Sequence, residues 1–258
     1  MTTDLRGNVV LVTGGGSGIG RATALAASAA GASVTVVDKS QDGIDETIAL
    51  VTGAGGRAIA APGDVSDEQT MAAAVERTIA ELGRLDGLVT CAGIFVGDDL
   101  QPLAGVSLDT FMHVLAVNLV GTFLAIKHAV PHLERAEGAP HGSIVTIAST
   151  AAIRGHGYGS GYTASKGGVA ALTRLTAVQY GPRGVRANCI CPGGVDTPMS
   201  GGVWNTDEAR ARTRERVPLG KIADARDIAD VATFLLSDAA RHLTGQTIAV
   251  DGGTTVAG

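Results

Sequence analysis

The stretch "NVVLVTGGGSGIGRATALAA", residues 8–27, decides the fold. A short β-branched run passes without alternation into a glycine cluster, and an alanine-rich segment of helix length follows. An unbroken apolar strand is the mark of a parallel sheet with helices on both faces. Gly14, Gly18 and Gly20 frame the turn, where glycine permits a tight bend and lets a pyrophosphate approach the N–H groups that open a helix. Their spacing, Gly-x-x-x-Gly-x-Gly, is one residue away from the usual dinucleotide fingerprint and is a weak signal alone.

Six further runs of the same kind follow: "ASVTVVD", "GRAIAAPGD", "LDGLVTCAG", "GSIVTIAS", "GVRANCICPGG" and "GQTIAVDGG". Helix-length segments separate them, such as residues 66–83, where Ser66 is the expected N-cap and Glu68 lies in the first turn. No linker or charge run interrupts the alternation, so residues 1–258 are expected to form a single α/β, doubly wound (Rossmann) domain. Its sheet is expected to be seven-stranded and mostly or wholly parallel. Residues 193–225 hold the longest irregular stretch, and a loop of that length is usually functional.

Composition narrows the function. A net charge of -5 argues against a nucleic-acid surface, which is expected to be basic. No leader is recognisable at the N-terminus, and no uninterrupted apolar run approaches the length of a membrane span. A soluble, cytoplasmic protein without membrane or nucleic-acid partners is the expectation. Cys91, Cys189 and Cys191 cannot all pair, and a Cys-x-Cys without a nearby histidine is poor zinc spacing. They are expected to be buried free thiols, with no metal site.

Asp38 closes the second strand eighteen residues after Gly20, near the distance at which a carboxylate meets an adenosine ribose. A carboxylate there accepts from both ribose hydroxyls and repels a 2′-phosphate, so NAD is favoured over NADP. Lys39 beside it works against that preference. Farther on, "GYGSGYTASKGG" (157–168) offers two tyrosines and one lysine. Tyr162 and Lys166 are four apart and share a helix face. Tyr158 is eight from the lysine, about 12 Å along a helix axis, and glycines at 159 and 161 oppose helix there. A cation beside a partly desolvated phenol favours the phenolate, a proton-transfer device.

Taken together, "TGGGSGIG", "VNLVG", "IASTAA", "YTASK" and "CPGGVDTP" stand in the order and spacing of the short-chain dehydrogenase/reductase family. The chain resembles the family's form of about 250 residues over nearly its whole length. The resemblance implies that Tyr162 is the general acid/base, that Lys166 lowers its pKa and holds the nicotinamide ribose, and that Ser149 bonds the substrate oxygen. It implies that Asn118 orders a water leading from the lysine to solvent, although an asparagine there also has a conformational reading as a cap or kink. Carried over with these are the cofactor positions Gly14, Ser17, Gly18, Ile19 and Gly20, Asp64 and Val65 beside the adenine, Ala92 and Gly93, and Pro192, Gly193, Val195 and Thr197 at the nicotinamide. "VTCAG" departs from the family, which commonly has Asn-Asn-Ala-Gly. Thr90 and Cys91 put in doubt the side-chain hydrogen bonds that brace the sheet. A homotetramer is also implied.

For the substrate wall the resemblance points to Ile94, Phe95, Ala151, the loop with His156 and Tyr158, and the segment after Val195. Trp204 has two open readings: closure over substrate as part of a lid, or packing that holds the loop down. His156, Arg154 and the arginines at 210, 212, 214 and 216 read as solvated. The expectation is an NAD-dependent oxidoreductase acting on a small-molecule secondary alcohol or ketone. An NADPH-dependent 3-oxoacyl thioester reductase and a non-catalytic nucleotide-sensing regulator are the alternatives.

Overall fold

The computed structural model describes residues 3–135, 142–155, 159–201, 204 and 206–257. All seven expected strands are present: β1 (Val9–Thr13), β2 (Ser33–Asp38), β3 (Arg57–Pro62), β4 (Gly87–Thr90), β5 (Gly142–Ile147), β6 (Val185–Pro192) and, at the end, β9 (Thr247–Val250). They form one wholly parallel sheet in the order β3-β2-β1-β4-β5-β6-β9. The alternating faces of β1 show why its sequence does not alternate. Val10 and Val12 enter one core with Val34, Ile228 and Leu235, while Leu11 enters the other with Met71, Leu88 and Leu124. Both faces are dry, so both must be apolar.

The helices that cover them are α1 (Gly18–Ala29), α2 (Gln41–Gly53), α3 (Glu68–Leu82), α4 (Leu108–Leu115), α5 (Gly121–Leu133), α6 (Ser160–Tyr180), α7 (Asp207–Glu215) and α8 (Ala225–Leu236). Helix α3 starts as read, but its cap differs. Asp67 accepts from Gln69 and Thr70 N–H, whereas Ser66 turns back to bond Asp64. An aspartate one residue nearer the helix outcompetes the serine because its two oxygens reach two orphan donors.

A π-turn, Ala116–Val120, joins α4 to α5. The continuous run Leu108–Leu133 is long and apolar enough to cross a membrane by length and composition, but half of its most apolar window is buried within the protein. It is a core helix. Residues 193–225 are more ordered than their sequence suggests: β7 (Val195–Asp196) pairs in parallel with β8 (Ala223–Asp224) and ties the two ends of the segment together, with α7 between them.

Strand order reverses between β1 and β4, because successive strands after β1 build outward on one side and those from β4 build on the other. The C-terminal ends of these two strands therefore open a crevice, the place where such sheets take ligands.

Candidate active site

The crevice is lined first by the glycine turn. A Cβ on Gly14 (φ +65°) would stand 2.6 Å from the Ala92 nitrogen, and one on Gly20 would stand 2.0 Å from the Gly14 carbonyl oxygen. Neither position admits a side chain. Ser17 precedes α1 without capping it through its side chain. Thr47 and Arg21 brace the turn by donating to the Gly15 and Gly16 carbonyls. A cleft of about 260 Å³ opens here, with Gly14, Ser17, Gly18, Ile19 and Gly20 on one wall and Asp38, Asp64, Val65, Ala92 and Gly93 on the other.

Asp38 ends β2, with one carboxylate oxygen accepting from Gly16 N–H and the other from Ser40 N–H, both at 3.0 Å. Each oxygen keeps capacity for a further donor from the cleft. Lys39 lines the same cleft. Hydrogen bonds from the Ser66 N–H and hydroxyl hold the Asp64 carboxyl below its usual range.

A second cavity of about 190 Å³ is contiguous with the first, since Ile19, Cys91, Gly93, Thr197 and Met199 line both. Ser149, Tyr162 and Lys166 line it, with Phe95, Pro192, Gly193, Val195 and Trp204. Ser149 follows β5; its Oγ accepts from Ala151 N–H at 3.1 Å, so its single proton remains available to donate. Tyr162 and Lys166 sit one turn apart on α6, with Nζ 5.6 Å from the ring centroid. Lys166 is buried and donates to the Ile147 carbonyl at 2.9 Å. Burial pulls its ammonium down to about 8, opposed by the nearby cysteines.

Asn118 lies in the π-turn, fully buried, and grips Ile94 from both sides: its Oδ1 accepts from Ile94 N–H at 2.7 Å and its Nδ2 donates to the Ile94 carbonyl at 3.1 Å. The same Nδ2 donates to Ser165 Oγ at 3.2 Å. The departure at "VTCAG" has a definite outcome. Thr90 Oγ1 is buried without a hydrogen-bond partner among the described residues, and Thr13 supplies a brace instead, accepting from Ala92 N–H at 3.3 Å. All three cysteines are free; burial pushes the Cys91 thiol up to about 12.

Among the expected substrate-wall residues, Phe95 packs edge-on against Tyr162, with centroids 5.2 Å apart. Trp204 is buried, lines the second cavity, and donates its indole N–H to Thr213 on α7 at 3.0 Å. It packs over Gly194, where a Cβ would meet the ring at 2.9 Å. Ala151 is buried in a short 3-10 turn after Ser149 and lines neither cavity, because its N–H turns back onto Ser149. Tyr158 and His156 lie outside the described residues. Arg154 is not simply solvated: it is partly buried and donates to the Thr254 carbonyl. Arg210 pairs with Asp196, while Arg212, Arg214 and Arg216 are exposed.

Sequence reading missed Asp99, Ser165 and His113. Asp99 is wholly buried although Asp98 beside it is exposed, so no pattern in the sequence distinguishes the pair. His113 lines the first cleft from α4, a helix whose position depends on the tertiary fold.

A family profile described as enoyl-(acyl carrier protein) reductase matches residues 14–255. The chain belongs to the short-chain dehydrogenase/reductase family. It is 39% identical to cis-4-hydroxycyclohexanecarboxylate dehydrogenase of Sinomonas cyclohexanicum over 96% of each chain. The crystal structure of levodione reductase superposes with a TM-score of 0.92 at 37% identity, covering 98% of this chain and all of the other. A crystal structure described as a putative NAD(P)-dependent gluconate 5-dehydrogenase from Beutenbergia cavernae, with bound NADP at low occupancy, matches at 36% identity, 99% of each chain and a TM-score of 0.88. As a member of this family the chain is an oxidoreductase that uses a nicotinamide cofactor, and its relatives act on small alcohols and ketones.

Proposed function

We propose that this protein is an NAD-dependent dehydrogenase of a secondary alcohol, working in reverse as a ketone reductase. The observation that carries the reading is that Ser149, Tyr162 and Lys166 line one cavity contiguous with the glycine-turn cleft. The cleft suits a dinucleotide: a Cβ on Gly18 would stand 3.4 Å from Thr197 across its mouth, and one on Gly93 would stand 3.5 Å from Lys166 Nζ. When bound, the nicotinamide supplies a hydride acceptor or donor.

Tyr162 acts as the general base toward the alcohol in oxidation and returns the proton to the oxygen in reduction. The Lys166 cation favours the phenolate and reaches the nicotinamide ribose, and the Ser149 hydroxyl donates to the substrate oxygen, favouring its developing negative charge in reduction. Asn118 holds the backbone beside Lys166 and orders the water through which the proton leaves. Gly14, Ser17, Gly18, Ile19 and Gly20 take the pyrophosphate, Asp64 and Val65 the adenine, and Ala92, Gly93, Pro192, Gly193, Val195 and Thr197 the nicotinamide half. Asp38 selects NAD. Residues 193–225 form the substrate loop, with Phe95 and Trp204 on the pocket wall.

The second cavity is lined mainly by apolar groups, and Lys166 is the one charged side chain lining it among the described residues. An alcohol with an uncharged, apolar body therefore suits it better than an acidic substrate, and a cyclohexane ring like that in the name of the Sinomonas relative is the first to try. Exposed Leu108, Met112, Phe123, Leu175 and Val178 on the α4–α5 run and α6 suit burial between subunits of a homotetramer. The cytoplasm supplies the reduced and oxidised cofactor this activity needs.

The test is turnover of a panel of cyclic and linear secondary alcohols, their ketones and a 3-oxoacyl thioester, with NAD and NADP in parallel. Oxidation of a cyclic alcohol with NAD is expected. Exclusive thioester reduction with NADPH would move the assignment to that reaction, and no hydride transfer with any substrate would favour the nucleotide-sensing alternative.

A further inference from the structure

The 3-10 turn Gly97–Leu100 puts Asp99 against the first turn of α6, and Asp99 is fully buried. Its Oδ1 accepts from Gly161 N–H at 2.7 Å and its Oδ2 from Tyr162 N–H at 2.8 Å. Burying a carboxylate is costly unless donors meet it, and the opening of a helix provides both unpaired N–H groups and a favourable dipole. The helix has no side-chain cap at Gly159, so this carboxylate from another segment does that work. Space has been cleared for it: a Cβ on Gly159 would lie 2.0 Å from Asp99 Oδ2, and one on Gly161 would lie 3.3 Å from Oδ1.

The same segment touches Tyr162 again through Phe95, whose ring stands edge-on to the phenol. The segment itself is fixed at Ile94 by Asn118, which donates to Ser165 Oγ, which in turn donates to the Tyr162 carbonyl at 2.7 Å. The contacts close a ring: Tyr162 N–H to Asp99, along the chain to Ile94, through Asn118 and Ser165, and back to the Tyr162 carbonyl. We infer that Asp99 is a positioning residue for the reaction, holding the backbone of Tyr162 so that its phenol meets the substrate oxygen. This rests on the reading of Tyr162 as the acid/base. Nothing in the family motifs quoted above includes Asp99, and its effect passes entirely through the tyrosine's main chain.

A general base displaced by about 1 Å loses on the order of 100-fold in rate. Asp99→Ala, normalised to cofactor-binding sites, is expected to lower kcat by about that factor with the cofactor Kd changed less than about three-fold, and Asp99→Asn, which keeps one acceptor, is expected to recover part of it. Gly159→Ala forces the carboxylate aside and is expected to cost rate in the native background but almost none beside Asp99→Ala, a coupling that a general loss of stability does not produce. Amide exchange of a peptide spanning residues 159–166 is expected to accelerate in Asp99→Ala, which reads the anchoring without turnover. The inference is overturned if Asp99→Ala keeps native kcat, if the Gly159→Ala and Asp99→Ala losses simply add, or if exchange is unchanged. Tyr162→Phe, run alongside, separates the two readings. If it retains turnover, the assignment of the tyrosine fails and the catalytic role of Asp99 fails with it; if it is dead while Asp99→Ala is normal, only the positioning inference fails.

Discussion

At the scale of single residues, the two buried polar groups with the least compensation make opposite predictions. Thr90 carries a hydroxyl that is desolvated without a partner among the described residues. Replacing it with the isosteric Val removes that penalty, so Thr90→Val is expected to raise stability by about 1 kcal/mol in urea unfolding. Lys166 is different because its charge serves the site. Its folded pKa of about 8 lies below the ordinary 10.5, so between those values the unfolded chain binds a proton that the folded chain has shed. Stability of the cofactor-free protein should therefore rise with pH across that window, by a total on the order of 3 kcal/mol, and the full cost of the buried ammonium is borne below pH 8. Lys166→Met should be more stable than the native protein at pH 7, with the gap closing by pH 10; a melting-temperature series over that range checks it. Tyr162→Phe should reduce turnover by at least about a thousand-fold, the upper part of the range for general acid–base loss, with NAD affinity nearly native. Asp38→Ala should narrow the preference for NAD over NADP by about ten-fold or more, read as the ratio of the two kcat/KM values, because one charge–phosphate repulsion and two ribose acceptors disappear.

Elements differ in how much of their role the sequence discloses. The strands were legible because a buried parallel strand writes itself as an unbroken apolar run, and β1 through β9 of the main sheet fall where those runs lie. The Tyr162–Lys166 pair was legible because one helical turn fixes its spacing whatever surrounds it. Asp99 was illegible for the converse reason: it lies sixty-three residues from Tyr162, on a short turn whose placement only the packed fold determines. The cap of α3 was misread by one residue, since Ser66 and Asp67 both qualify and the choice is made by Asp64, which engages the serine. Removing the cap actually used, Asp67→Ala, should cost about 1 kcal/mol, whereas Ser66→Ala should cost less; chemical denaturation of both compares them. Trp204 joins its two readings, since it packs down on α7 through Thr213 while still facing the cavity.

For the whole molecule, the two dry faces of the sheet explain why a chain with few aromatic residues has a sufficient core: both layers are filled by Val, Ile, Leu and Ala. The apolar side chains left outside are grouped on the α4–α5 run and α6, and Val178 is 76% exposed. If these faces meet in a tetramer, Phe123→Glu with Val178→Glu should lower the native mass measured by light scattering, while the single chain keeps its far-ultraviolet spectrum.

The π-turn at Ala116–Val120 adds one residue to what would otherwise be an unbroken α-helix. Asn118 sits within that surplus, and Thr122 bonds its carbonyl. Deleting Leu119 would leave the run apolar, capped and able to fold as ordinary helix, yet would rotate one flank against the other by about 100°. Asn118 and the apolar stripe of α5 would then compete for the same facing. Helical phase, more than the identity of any one side chain, is what lets this segment serve the core and the reaction together, and a one-residue deletion here is the mutation that would separate them.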